Sequence, residues 1–282
     1  MLNIILTVII TIFVTPIIGG FLVGVDRILT ARLQGRIGPP LLQPFYDLFK
    51  LLGKENIVVN RVQMFYVLSN LVLMITSVVL FVLKQDLLMI IFVMAFGSMA
   101  LILGGLSVQS PYSRIGSHRE MLQMLAYEPV LVFMVVGIYL KTKSFNVQSV
   151  LDLKEPLLAY MPLIFMAILL ILTIKLRKSP FDFSTSHHGH QELVKGLFTE
   201  FAGPQLAMIE LAHWYELVLV LGFIVLFWAT NIYIGIAIAL ASMLFEIIID
   251  NVTARLTWKW MLVAAWTMGI GLCLVNIAYL YR

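Results

Sequence analysis

The chain has 282 residues, 61% of them hydrophobic and only 12% charged, with a formal net charge of +4. A soluble domain is roughly half apolar and about a quarter charged, so a water-soluble globular enzyme is excluded and the main solvent is lipid. The positive balance comes from loop residues and implies no nucleic-acid partner, while the lone Cys273 excludes an internal disulfide and any cysteine-ligated iron–sulfur cluster.

A bilayer core takes about 20 apolar residues per helix. The hydrophobic runs predict eight spans, near 2–25, 62–83, 87–109, 116–140, 157–176, 205–229, 231–250 and 258–281. Runs such as VLSNLVLMITSVVLFVL lack the every-second-residue alternation of a barrel strand. The expected fold is therefore an all-α polytopic membrane protein, a single membrane domain over 1–282. Its expected odd-loop face comprises about 26–61, 110–116, 177–204 and 251–257. Fourteen Lys and Arg fall on that face and five on the opposite one. By the positive-inside tendency the odd loops are cytoplasmic, in a cytoplasmic (inner) membrane, with both termini outside. The first run has no basic residue ahead of it and no small-residue cleavage site, so it reads as a retained span.

After the first span, DRILTARLQGRIGPP sets Arg27, Arg32 and Arg36 near the membrane surface, with Gly38, Pro39 and Pro40 ending any helix. LLQPFYDLFKLLGKE follows. Its Leu41, Leu42, Phe45, Leu48, Phe49 and Leu52 recur at helical spacing, against polar Gln43, Asp47, Lys50 and Lys54. At about fifteen residues it is too short to span, so it is predicted to be an amphipathic helix in the interface plane, or one that simply packs on the bundle.

The fourth span begins polar. Glu120, Gln123 and Tyr127 follow an i, i+3, i+7 pattern, Arg119 and Glu128 adjoin them, and Pro129 predicts a kink beside Glu128. In the sixth span Glu210 and Glu216 bracket His213, and in the seventh Glu246 precedes Asp250 by one turn. A charge at the bilayer centre costs at least ~3 kcal/mol. These carboxyl groups therefore suggest a hydrated path for protons or ions, although Glu216 and Asp250 also suit helix ends that face headgroups.

Between the fifth and sixth spans lies SPFDFSTSHHGHQELVKG, with His187, His188, His190 and Glu192. These are zinc-type donors, but their spacing matches neither a zinc finger nor a helical zincin motif. A solvated connector is one alternative. A polar loop of nearly thirty residues exceeds what compact bundles need, so docking onto a partner is the expectation, with no metal bound. No internal repeat or pair of matching broken helices is visible, which argues against a self-sufficient secondary transporter.

Three segments, ARLQGRIGPPLLQPFYDLFKLLGKE, GSHREMLQMLAYEP and KSPFDFSTSHHGHQELVKGLFTEFAGP, together resemble one membrane component of complex I, the NADH dehydrogenase subunit 1/H family. That family is the eight-span membrane subunit that joins a redox arm to an ion-pumping arm. Within it the chain looks most like the membrane subunit of energy-converting nickel–iron hydrogenases, in which SPFDFSTSHH is typical. Quinone-linked members carry about half a dozen further residues after the position of Pro39, and usually a glutamate where this chain has Lys175. They have Pro-Glu-Ala-Glu where it has Ser-Thr-Ser-His-His, and an acidic residue where it has His213. These departures favour a quinone-independent redox arm.

The resemblance implies that Arg27, Arg32, Arg36, Gly38 and Pro39 form one docking loop, that Asp182, Glu192 and Glu200 belong to a second, and that Arg119, Gln123, Tyr127 and Glu128 form a polar approach into the fourth span. It implies a coupling subunit of a multisubunit oxidoreductase, with no redox centre of its own. The [NiFe] centre and iron–sulfur clusters are then expected in partners: hydrogenase-like large and small subunits, a ferredoxin-like iron–sulfur subunit and antiporter-like membrane subunits. The alternatives are the corresponding subunit of a quinone-reducing complex I and a formate- or sulfur-linked relative.

Overall fold

The computed structural model describes residues 2–57, 60–181 and 195–281. Twelve α-helices account for most of the described residues. They are α1 (Leu2–Leu33), α2 (Gln43–Leu52), α3 (Arg61–Val82), α4 (Leu87–Leu106), α5 (Pro111–Thr142), α6 (Val147–Leu151), α7 (Leu157–Tyr160), α8 (Pro162–Lys175), α9 (Pro204–Leu226), α10 (Ile232–Val252), α11 (Trp258–Ala264) and α12 (Gly271–Tyr281). A π-helical segment, Ala265–Ile270, joins α11 to α12 into one long rod. Seven helical rods of the described residues are long and apolar enough to cross a membrane, and α8 is a shorter apolar helix. The chain is thus an all-helical polytopic membrane protein, as expected.

Helices α4, α5, α8 and α9 make the buried middle, around Met94, Met134, Ile168 and Phe223, while α1 turns Ile5, Phe13 and Ile17 outward. The loops alternate between two faces. On one, Gln34 Nε2 donates to Asn251 Oδ1 at 3.0 Å, and Leu256 N–H donates to the Pro180 carbonyl. On the other, Leu87 N–H donates to the Phe145 carbonyl and Leu158 N–H to the Phe227 carbonyl. The odd loops therefore share one face.

Three spans differ from expectation. The first continues to Leu33, so α1 has 32 residues and carries Arg27 and Arg32 on helix instead of loop. The loop expected at 110–116 is already helical from Pro111, whose fixed φ suits a first helical position where no N–H partner is needed. The span expected at 157–176 is broken at Met161, leaving α8 with 14 residues, about 21 Å at the helical rise. Buried Asn276 of α12 heals that break. Its Oδ1 accepts the free Leu163 and Ile164 N–H groups at 3.0 and 3.1 Å, and its Nδ2 donates to the Tyr160 carbonyl at 3.0 Å.

Two prolines sit inside spanning helices, and each removes the N–H that would meet the carbonyl four residues earlier. Pro16 frees the Ile12 carbonyl, which accepts the Tyr215 hydroxyl of α9 at 2.5 Å. Pro129 frees the Leu125 carbonyl, which accepts Trp266 Nε1 of the π segment at 3.3 Å, and α5 runs on as helix through Pro129. In lipid an unsatisfied carbonyl costs several kcal/mol, so these aromatic donors make both prolines tolerable.

Amphipathic α2 packs by Phe45, whose ring meets Phe21 of α1 and Trp214 of α9 edge-on at 5.5 and 5.2 Å. A Cβ at Gly20 would collide with that ring. Tyr46, Phe49 and Leu52 face outward, as an interfacial helix requires. After the segment 182–194, a short 3₁₀ turn at Gly196–Phe198 inserts Leu197 against Val67, Leu101, Phe201 and Ile209. The insertion depends on Gly116 of α5, where a Cβ would strike the Leu197 backbone.

Candidate functional site

The C-terminal end of α8 organises the site. Leu176 caps the helix, Arg177 adopts φ 54°, the Arg177 N–H donates to the Ile174 carbonyl and the Lys178 N–H to the Thr173 carbonyl. This is a Schellman turn with arginine in the left-handed position that glycine usually fills. That conformation costs roughly 1–2 kcal/mol for an L-residue. In return the turn fans three cations into three directions. Lys175 Nζ lies 2.5 Å from Glu216 Oε1 on α9, Arg177 reaches Glu120 on α5 at 3.2 Å, and Lys178 reaches Asp26 on α1 at 2.6 Å and Asp250 on α10 at 3.8 Å. The Ser179 N–H adds a 2.8 Å hydrogen bond to Asp250 Oδ1.

These pairs border a cavity of about 260 Å³ enclosed by α1, α3, α4, α5, α9, α10 and the turn. Its wall includes Asp26, Glu120, Glu210, His213, Glu216 and Asp250 as well as Arg27, Arg177 and Lys178, with Asn70 and Ser98 as neutral polar groups. So dense a charge lining suits water and small ions. Arg27 and Glu210 also line a second cavity, of about 160 Å³, under α2, where Arg27 pairs with Asp47 at 2.7 Å. Burial pushes the Asp47 carboxyl up, but hydrogen bonds from Arg27 and Gln43 and the Arg27 charge outweigh it and hold the group below the usual carboxylate range.

The remaining sites fall in several places. On α5, Gln123 and Tyr127 are buried with Glu120, and the Tyr127 hydroxyl donates to Ser98 Oγ at 3.3 Å. Arg119 is half-exposed next to them. Among the described residues, Glu128 has one carboxyl oxygen buried without a hydrogen-bond partner, and Glu246, 1% exposed, has none on either oxygen. Neither residue lines the 260 Å³ cavity. His213 Nδ1 lies 3.5 Å from Glu216 Oε2. Arg32, Arg36, Gly38 and Pro39 border an open hollow on the outside of the first loop. The Glu200 carbonyl accepts from Gln63 at 3.4 Å, near the Leu197 plug. Asp182, His187, His188, His190 and Glu192 lie outside the described residues.

A family model described as NADH dehydrogenase matches residues 5–281. The chain belongs to that family, the membrane component of complex I known as its subunit 1 or its H subunit. It is 27% identical to the NADH-quinone oxidoreductase H subunit of Syntrophotalea carbinolica, over 92% of this chain and 89% of that one. With NADH-ubiquinone oxidoreductase chain 1 of Yarrowia lipolytica it shares 30% identity over 72% of this chain and 65% of the relative. Among solved structures it resembles a chain of the membrane-bound sulfane sulfur reductase, an archaeal respiratory membrane complex. The TM-score is 0.86, with 22% identity and 99% of both chains covered, a likeness of fold. The chain is therefore a membrane protein of a family whose members serve as subunits of oxidoreductase complexes.

Sequence reasoning missed Asp26, Lys175, Arg177 and Lys178 as members of the site. Lys175 and Lys178 are each only 6% exposed, although both counted as rim charges in the loop tally. A signal was present. Several acids within spans require counter-charges, because fully buried charges are paired, and Lys175, Arg177 and Lys178 form the densest basic cluster beside a span.

Proposed function

We propose that this chain is the coupling subunit of an energy-converting, ferredoxin-linked [NiFe] hydrogenase. In this reading proton reduction in an attached redox arm drives transmembrane movement of protons or sodium ions. The [NiFe] centre and clusters reside in hydrogenase-like and ferredoxin-like partners, and antiporter-like subunits move the ions. The odd loops face the cytoplasm and dock the redox arm, through Arg32, Arg36 and the histidine-bearing segment. This chain itself contributes charge handling: the cavity holds water beside Glu120, Glu210, Glu216 and Asp250, and a charge change at the loops shifts their ion pairs.

The observation that carries this reading is the buried Lys175–Glu216 pair at 2.5 Å. A cation stands where quinone-linked relatives usually have a glutamate, and charged groups wall the space above it, which suits ion handling better than a lipophilic quinone head. The test is purification of the intact complex with its partners. Ferredoxin-dependent hydrogen evolution accompanied by ion uptake into inverted vesicles is the expected result. Co-purification with NADH-oxidising subunits and quinone reduction would overturn the hydrogenase assignment.

A further inference from the structure

Of the three cations of the α8 turn, Lys175 has more than one seat. Its ammonium is held by Glu216 of α9 at 2.5 Å and lies 3.7 Å from the centre of the Tyr127 ring of α5. The next residue of α5 is Glu128, whose Oε1 is buried without a hydrogen-bond partner among the described residues. On the far side of Glu216, His213 Nδ1 stands 3.5 Å from the second carboxyl oxygen. The order in space is thus acid, cation over an aromatic face, acid, imidazole. Arg177 pairs with Glu120, and Lys178 already sits between two carboxylates, Asp26 at 2.6 Å and Asp250 at 3.8 Å, whereas Lys175 pairs with one carboxylate and lies over a ring that leads toward a second.

We propose that Lys175 is a two-position counter-charge whose ammonium pairs alternately with Glu216 and with Glu128, crossing the face of Tyr127 between them. The inference deepens the coupling reading above and rests on it. Three physical features support it. Lysine is a compact point charge on a flexible four-carbon stem, unlike the planar, multi-donor guanidinium of arginine. An aromatic face offers a cation partial compensation on the way between two anions. A buried carboxyl oxygen without a partner is costly, which gives Oε1 of Glu128 a use for that cation. When the ammonium leaves Glu216, that carboxylate takes up one proton from the cavity it lines. The newly paired Glu128, which is only partly buried and lies off that cavity, releases one proton on its exposed side, and the ammonium keeps all of its own. The event links α9 to α5 without changing the net charge of the group.

The experiment uses the complete complex in inverted vesicles, reading ions moved per electron pair, with redox-induced infrared difference spectra of the carboxylic-acid C=O bands as a second readout. The variants are Lys175→Arg, Lys175→Gln, Glu128→Gln, Glu216→Gln and the doubles that combine Lys175→Gln with each glutamate change. Lys175→Arg keeps the charge but cannot cross, and should lower ions per electron pair at least about fivefold, the lower end of ordinary site-to-site coupling. Glu128→Gln should do the same in the parent and add nothing in the Lys175→Gln background. A static pair behaves otherwise: Lys175→Gln with Glu216→Gln would recover parental coupling, or the Glu128→Gln loss would persist without Lys175, and either result overturns the proposal. If parental vesicles take up no ions during turnover, the coupling reading fails. The infrared test then decides the switch by itself, since a redox-dependent band removed by both Glu128→Gln and Lys175→Gln supports it and an unchanged band refutes it.

Discussion

Among the described residues the hydroxyl of Tyr215 has one partner, the Ile12 carbonyl that Pro16 leaves without an N–H. Tyr215→Phe removes 1 oxygen atom and leaves the 2%-exposed ring in place, so packing changes little and the carbonyl becomes an orphan. An unsatisfied buried acceptor costs about 1–3 kcal/mol, which for this chain is the whole expected loss. Pro16→Ala changes the arithmetic, because residue 16 regains an N–H that closes the ordinary helical bond to Ile12. In that background Tyr215→Phe should cost at most a few tenths of a kcal/mol, giving a coupling energy of about 1 kcal/mol or more between two residues on different helices. The assay is denaturant-induced unfolding of the four proteins (parent, two singles, double) in detergent micelles, followed by tryptophan fluorescence. Additive losses from the two substitutions would refute the argument that the tyrosine exists to serve the proline's orphan carbonyl.

Three further outcomes are expected. Asn276→Leu strips two N–H groups and one carbonyl of their partner at the α7–α8 break, and should destabilise by about 2–4 kcal/mol even though it adds apolar volume, read as a lowered unfolding midpoint. Gly116→Ala drives a methyl group into the Leu197 backbone and should expel the Leu197 turn while the spans persist, read as faster proteolysis within 182–200 with unchanged helical circular dichroism. The Arg27–Asp47 tether of α2 has a sign fixed by the depressed carboxyl of Asp47. Its contribution is present above the ordinary carboxylate pKa of about 3.9 and fades as pH falls through the lower folded value, so acid and not base should loosen α2. Because both side chains are about two-fifths exposed, the effect is small and salt-sensitive, and labelling of a cysteine at Leu48 as a function of pH would detect it.

The helical class and seven of the eight expected spans were legible because twenty-residue apolar runs admit few other structures. The interruption of the fifth span was not, since Met161 and Pro162 look like an ordinary helix start and the residue that repairs the break, Asn276, is more than a hundred positions away. The acidic members of the cavity stood out as charges within apolar runs. Their cations did not, because Lys175 stands at the very end of the predicted fifth span and Arg177 and Lys178 follow it directly, so all three read as membrane-surface residues. The left-handed backbone at Arg177, invisible in residue order, sets the direction of Arg177 and Lys178, while Lys175 is aimed at Glu216 from the last turn of α8 itself. Asp26 was hidden in the same way, since the first helix was expected to end just before it and instead runs on to Leu33.

The turn that closes α8 has mechanical as well as electrostatic weight. Glu216, Glu120, Asp26 and Asp250 belong to four different helices, and all four answer to one short stretch of backbone. Sliding α8 along its axis by a single helical pitch, about 5.4 Å, would unseat every one of these contacts together, and would leave the charges unpaired inside the bundle. The bundle is therefore keyed like a pin-tumbler lock. Its seated arrangement is the one in which all the pins engage at once.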